Sequence, residues 1–318
     1  MLFFMTEIEK LLIELVKIPS VSGHEKELGD FVVSQLAWIK NLKIQKQNVG
    51  KGRFNLVIKK GNSKKWLVAH MDTVPGGAPC RITKDRISGR GACDNKQSIA
   101  ASIILARQLS DINILFTVGE EIDFSGAHKA DEAKICKDAE LVIVQEPTCF
   151  KVITGQCGIV AFSVETTGRE QHSSLDNPNN AIHKLNEILE ALIKKNWTAF
   201  NIGILEGGIA GNIVAGGARA VISARPHDTK EQKEIISELK RISAKVTINK
   251  NLPPFCGSLG YPERVATHFS EMGFFKNSIQ FGAGDIRNAH TQQEYILRKD
   301  LNILPKKLLK ILNNSKGR

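Results

Sequence analysis

Residues 66–76 read WLVAHMDTVPG. Trp66–Ala69 form an apolar run of strand length, His70 closes it, and Asp72 follows two positions on, before Pro75 and Gly76 break the pattern. A histidine and a carboxylate at a strand end have the chemistry of a metal ligand and its orienting partner. Neutral imidazole is a good zinc ligand, and its second ring nitrogen usually donates to a carboxylate or carbonyl. An isolated H-x-D triplet is more often satisfied by local hydrogen bonds, so the decision lies with the rest of the chain.

Working outward, Thr6 and Glu9 make a capping-box pattern ahead of Ile8, Leu11, Leu12, Leu15 and Val16, which predicts an amphipathic helix ending near Pro19. A turn at Ser22-Gly23 precedes a second helix within residues 20–39. FNLVIK (54–59) and KWLVAHMD (65–72) read as strands, SIAASIILARQL (98–109) as a helix, and INILFTV (112–118) and AELVIVQE (139–146) as strands. Helices alternating with short buried strands predict a three-layer α/β/α domain with a mostly parallel sheet, in which sites gather at the carboxyl ends of the strands.

Past residue 155 the pattern becomes β-α-β-β-α-β: IVAFSVETTG (159–168), a helix over 179–195, AFNIGILEGG (199–208), AGGARAVISARP (215–226), a helix over 230–242, and VTIN (246–249). That order predicts a ferredoxin-like α+β insertion. The remainder carries helix-like VATHFSEMGF (265–274), strand-like SIQFGAG (278–284) and a closing helix at LPKKLLKILNN (304–314), expected to complete the first domain. The expected division is 1–155 with 253–318, and 156–252.

Acidic and histidine residues recur at the predicted strand ends. Asp94 lies in the glycine-rich turn GRGACDNK (89–96), Glu120 and Glu121 follow INILFTVG, Glu146 lies in LVIVQEPT (141–148) just before its proline, and His290 lies in GAGDIRNAHT (282–291). Aspartate before a helix is commonly an N-cap, but two metals close together require a bridging carboxylate, which a rigid turn would supply. Adjacent glutamates after a buried strand repel unless a cation or proton compensates. One could bind metal while the other takes a proton from water. Five candidate ligands, His70, Asp94, Glu121, Glu146 and His290, form an oxygen-rich mixture suited to two Zn²⁺, with Co²⁺ or Mn²⁺ as substitutes.

The chain has 318 residues and a formal charge of +11. Its lysines are dispersed, and two tyrosines and three tryptophans offer little for base stacking, so no nucleic-acid partner is expected. The six cysteines lack CxxC spacing and read as reduced thiols, which with the absence of a basic n-region before MTEIEK points to a cytoplasmic protein. The start could be Met1 or Met5. No apolar run reaches the ~18 residues that span a bilayer, so no membrane partner is expected.

The ordered set AHMDTVPG, GRGACDNK, GEEIDFSGA, QEPT, GREQHSS and GAGDIRNAHT resembles the M20 metallopeptidase family, in particular its acetylornithine deacetylase, succinyl-diaminopimelate desuccinylase and acetyl-lysine deacetylase group. The resemblance spans nearly the whole chain. It implies that His70 and Glu146 hold one metal, Glu121 and His290 the other, and Asp94 both, with Asp72 the partner of His70. It also implies that Glu120 is the general acid/base of a metal-activated water. The insertion would be a lid and dimerisation domain whose His172 reaches the partner's site as an oxyanion donor, while Asn212 and Arg225 hold a substrate carboxylate. The sequence departs from the family pattern at Gln97 and Ser98, at Ser223, and at Gly282-Ala283-Gly284.

The resulting expectation is a cytoplasmic, homodimeric dizinc amidohydrolase removing an acyl group from an amino acid, of acetylornithine or acetyl-lysine deacetylase type. The alternatives within the family are a desuccinylase and a dipeptidase or aminoacylase, acting on N-acyl amino acids or short peptides. A different class is a non-catalytic binding protein on the same scaffold, against which Glu120 and His172 both argue.

Overall fold

The computed structural model describes residues 4–175, 179–257 and 259–314, so Met1 lies outside the described residues. The chain divides into two compact units: Met1–Thr154 with Gly257–Arg264 and Ser270–Arg318, and Gly155–Cys256 with Val265–Phe269. Pro253–Cys256 and Val265–Phe269 therefore group with the insertion.

The first unit is built on a six-stranded sheet in the order Leu42–Gly50, Arg53–Lys60, Ile112–Thr117, Lys65–His70, Leu141–Val144, Ser278–Gln280. The last four strands run parallel, and the first two form an antiparallel edge. Strand side chains alternate between faces. Leu67, Ala69, Ile112, Ile114, Phe116, Leu141 and Ile143 enter one core with helices Glu7–Lys17, Lys26–Leu36, Lys96–Gln108 and Arg298–Asn314. Trp66, Val68, Leu115, Val142 and Val144 are buried on the opposite face. There helix Ser125–Glu132 meets the antiparallel edge and the 3₁₀ turn Glu271–Phe274. This is the α/β/α layering expected of the alternating pattern.

Helix Glu7–Lys17 begins at Thr6 with both capping-box hydrogen bonds to Glu9 in place. Helix Lys96–Gln108 is buried from Lys96 to Ala106, as suits an element enclosed between helices and sheet. The Lys96 ammonium is satisfied by the Ile18 carbonyl at 2.7 Å, and burial lowers its pKa to about 8.

Two expectations need correction. Residues 265–274 are not a helix: Val265–Ala266 pairs with Gly155–Gln156, and Ser270 caps a four-residue 3₁₀ turn by accepting Met272 N–H. Strand pairing outweighs the local helical spacing there. The closing helix starts at Arg298 and contains Pro305, because Leu301, Leu304 and Leu308 bury one continuous face across the proline. The polar alternation LKIQKQNVG conceals the edge strand Leu42–Gly50.

The second unit pairs Asn201–Gly207, Gly217–Ala224, Ile159–Thr167 and Lys245–Leu252 in that antiparallel order, with helices Ala181–Ile193 and Thr229–Leu239 inserted in sequence. This is the ferredoxin-like order. Its core takes Val160, Phe162, Val164, Ala220 and Ile222 from the sheet, with Leu185, Leu189, Ile235 and Leu239 from the helices. Among the described residues no helix is long and apolar enough to cross a membrane.

Candidate metal centre

Sheet register places the acidic and histidine residues together. Val68 pairs with Val144, so Glu146, two residues beyond Val144, stands level with His70, two beyond Val68. On the other side His70 pairs with Thr117, and the chain continues into the Glu120–Glu121 turn. Gly119 holds that turn at φ +80°, where a Cβ would fall 2.5 Å from Ser125 Oγ, so only glycine fits without rearrangement. The His290 loop approaches as closely: a Cβ on Gly282 would lie 2.6 Å from the Glu146 carbonyl oxygen.

Asp94 occupies the centre. Its Oδ1 lies 3.0 Å from His70 Nε2 and its Oδ2 3.4 Å from His290 Nε2. His290 Nε2 is 2.9 Å from Glu121 Oε2. Donor atoms of His70, Asp94 and Glu146 lie within 4.8 Å of one another, as do those of Asp94, Glu121 and His290, so Asp94 belongs to both groups. A third group of the same dimension joins His70 to Glu120 and Glu121. His290 has φ +61°, a left-handed conformation that costs a non-glycine residue roughly 1–2 kcal/mol and is characteristic of functional loops.

Asp72 is fully buried and does more than face His70. The ring Nδ1 of His70 lies 2.9 Å from the Asp72 backbone oxygen but 3.7 Å from its carboxylate. That carboxylate accepts the backbone N–H groups of Glu120 and Glu121, each at 3.1 Å, and the Ser22 hydroxyl at 2.7 Å. Ser22 escapes a sequence reading because its partner lies fifty residues away.

The electrostatics call for cations. Burial pushes the Glu120 and Glu146 carboxyls well above the usual range, and neighbouring carboxylates add to the rise while His70 opposes it. Burial likewise raises Glu121. Asp94 and Glu121 raise His290 to about 10. Burial works to lower His70, but Asp72 and Asp94 outweigh it and hold the ring well above its ordinary value. For Asp94 burial is outweighed by His290 and His70, which keep it ionised. Protons thus take the place of positive charge among crowded carboxylates. Glu146 Oε1 is buried without a hydrogen-bond partner. Such an oxygen is costly unless something positive meets it. The donor set of imidazoles and carboxylates therefore fits divalent metal.

In the second unit, His172 and Asn212 are neighbours: His172 bridges Ile213, and the Asn212 carbonyl accepts Ser173 N–H at 3.1 Å. Ser174 N–H donates to His172 Nδ1 at 3.2 Å, which leaves Nε2 of this exposed ring to carry the proton of the neutral form. Arg225 is not with them. Strand Gly217–Ala224, about 25 Å long at the usual rise, lies between Asn212, five residues before its start, and Arg225, directly after its end.

Residues 154–251 match the family described as peptidase dimerisation domain. The chain is similar to a peptidase M20 domain-containing protein of Schizosaccharomyces pombe, with 32% identity covering 89% of this chain and 78% of that protein. A probable carboxypeptidase of Aspergillus clavatus is 30% identical over 67% of this chain and 60% of its own length, so the chain spans less than two thirds of that relative. Among solved structures, a tripeptidase from Staphylococcus aureus superposes with a TM-score of 0.80 at 23% identity, covering 97% of each chain.

Proposed function

The chain belongs to the peptidase M20 family, and from that premise we propose that it is a two-metal amidohydrolase cleaving the amide bond of a small N-acyl amino acid or short peptide. One observation carries the reading: Asp94 stands between His70 and His290 and is shared by two separate donor groups. His70 and Glu146 would hold one ion, Glu121 and His290 the other, with Asp94 reaching both. Zn²⁺ suits the donors, with Co²⁺ or Mn²⁺ as substitutes. Two such cations would polarise the scissile carbonyl and acidify the attacking water.

The chain's own residues supply the rest. Glu120, whose carboxyl burial holds well above the usual carboxylate range, takes a proton from water and returns it to the leaving amine. Asp72 fixes the turn from which Glu120 works. His172 presents an Nε2–H donor for the developing oxyanion. Asn212 and Arg225 hold the substrate carboxylate, the arginine through its planar fork. Because these two lie at opposite ends of one strand, the reading places His172 and Asn212 of one copy against Arg225 of a second. A homodimer through the insertion is supported by the match to a dimerisation domain and by the edge strand Asn201–Gly207, which leaves Ile204 and Leu205 exposed.

An acetylornithine or acetyl-lysine type substrate and a short peptide both satisfy this chemistry, and so does a succinylated amino acid. The names of the relatives, a probable carboxypeptidase and a tripeptidase, favour testing peptides alongside acyl amino acids. The deciding experiment assays Zn²⁺- and Co²⁺-loaded protein against N-acetyl and N-succinyl amino acids, dipeptides and tripeptides, reading free amine released. A fully metal-loaded sample that hydrolyses none of them would overturn the enzyme reading in favour of a binding protein on this scaffold.

A further inference from the structure

Glu294 lies four residues beyond His290 and is almost wholly buried. Its Oε1 accepts two consecutive backbone N–H groups, those of Cys93 and Asp94, each at 2.9 Å. Its Oε2 pairs with Arg90 Nη1 at 2.6 Å. Arg90 in turn donates from Nε to the Gly76 carbonyl at 3.3 Å. The glutamate is itself anchored: its backbone oxygen accepts Gly89 N–H at 2.9 Å, and the next residues, Tyr295–Leu297, pair antiparallel with Arg86–Ser88.

A further carboxylate beside an already acidic cluster has a cost, which Arg90 offsets here as a nearly buried counter-charge. What the arrangement gains is a fixed turn. The backbone at Asp94 is gripped from behind by a group on the same segment as His290, while its carboxylate reaches His70 and His290 in front. Shifting Glu294 would move the Asp94 backbone relative to both histidines.

We propose that Glu294 is a positioning residue of the metal centre, setting the distance between the two ion positions by clamping the Cys93–Asp94 peptide groups. The inference rests on the two-metal reading. It is tested by metal binding, not by activity alone, in Glu294→Ala, Glu294→Gln and Glu294→Asp proteins whose folding is verified by circular dichroism. Glu294→Ala leaves two buried N–H groups without an acceptor and is expected to weaken the occupancy of one ion by about 10- to 100-fold, the usual range for groups that orient ligands. The Co²⁺ absorption spectrum should change with it. Glu294→Gln keeps an oxygen for the two N–H groups but turns its amide NH2 toward Arg90 and leaves that charge unpaired, so it should bind metal more weakly than the parent and more tightly than the alanine protein. Glu294→Asp keeps the charge but withdraws the carboxylate by one methylene, and should likewise fall between the parent and the alanine protein. If the alanine protein does not fold, the Gln and Asp proteins decide: weaker metal binding than the parent in both supports the clamp, and an affinity and spectrum equal to the parent's in either overturns it. A parent protein with fewer than two metal sites overturns the two-metal reading and this inference together. Two parent sites that persist with unchanged affinity and spectrum in a folded Glu294→Ala overturn this inference alone.

Discussion

The Asp72 carboxylate accepts the backbone N–H of Glu121 at 3.1 Å. Its other oxygen accepts Glu120 N–H at the same distance, so one buried side chain ties the end of the His70 strand to the turn that carries both glutamates. Asp72→Ala therefore strands two N–H groups, each costing about 1–3 kcal/mol when buried and unsatisfied. The variant should lose at least about 2 kcal/mol in chemical denaturation of metal-free protein. An aspartate that acted only through His70 would produce no such loss when the same substitution is made in a His70→Ala background.

Glu120 and Glu121 differ in what they touch. Glu121 meets His290, whereas Glu120 belongs to neither donor group that includes Asp94. Glu120→Gln should retain two equivalents of metal in elemental analysis while turnover falls by about 10²- to 10⁴-fold, the usual worth of a general acid/base. Glu121→Gln should instead lose metal. The reverse pattern would mean that the two glutamates exchange roles.

The acidic and histidine residues of the first unit are legible in the sequence because each ends, or closely follows, a strand or a glycine-rich turn, and parallel strands deliver their carboxyl ends to one edge. Glu294 and Ser22 are not legible. Each acts on a group fixed only by tertiary structure, Glu294 on a peptide N–H 200 positions away. The same limit explains the helix expected at residues 265–274, where pairing with Gly155–Gln156 decides the conformation. For the insertion the alternation in Gly217–Ala224 is clear enough to give the strand. The same strand, at the usual rise, separates Asn212 before it from Arg225 after it.

That separation makes a prediction about assembly. If the site draws His172 from a second copy, His172→Ala and Glu120→Gln proteins, each nearly inactive, should regain activity when co-refolded. Up to one site in the mixed dimer would then hold an intact Glu120 and an intact His172. Mixed dimers isolated by differential tags and found inactive would show that each chain uses its own His172.

Glu9 links the two ends of the first unit. Its carboxylate takes Arg298 Nε and Nη2 at 2.8 Å each, Asn302 Nδ2 at 2.7 Å and Thr6 N–H at 3.0 Å. Burial alone would raise its pKa, but Arg298, Thr6 and Asn302 outweigh burial and hold it below the ordinary 4.5. In the window between the depressed folded value and 4.5 the unfolded chain binds the extra proton, so stability rises with pH there. The contribution is complete above about pH 4.5 and is lost as pH falls through the folded value. Glu9→Gln preserves the capping-box geometry, since glutamine serves at that position, and removes the charge. It should cost about 2 kcal/mol at pH 7, the worth of hydrogen bonds to a charged group. The melting-temperature difference between parent and variant should narrow steadily as pH is lowered below 4.5, and a difference independent of pH would show that Glu9 contributes through shape rather than charge.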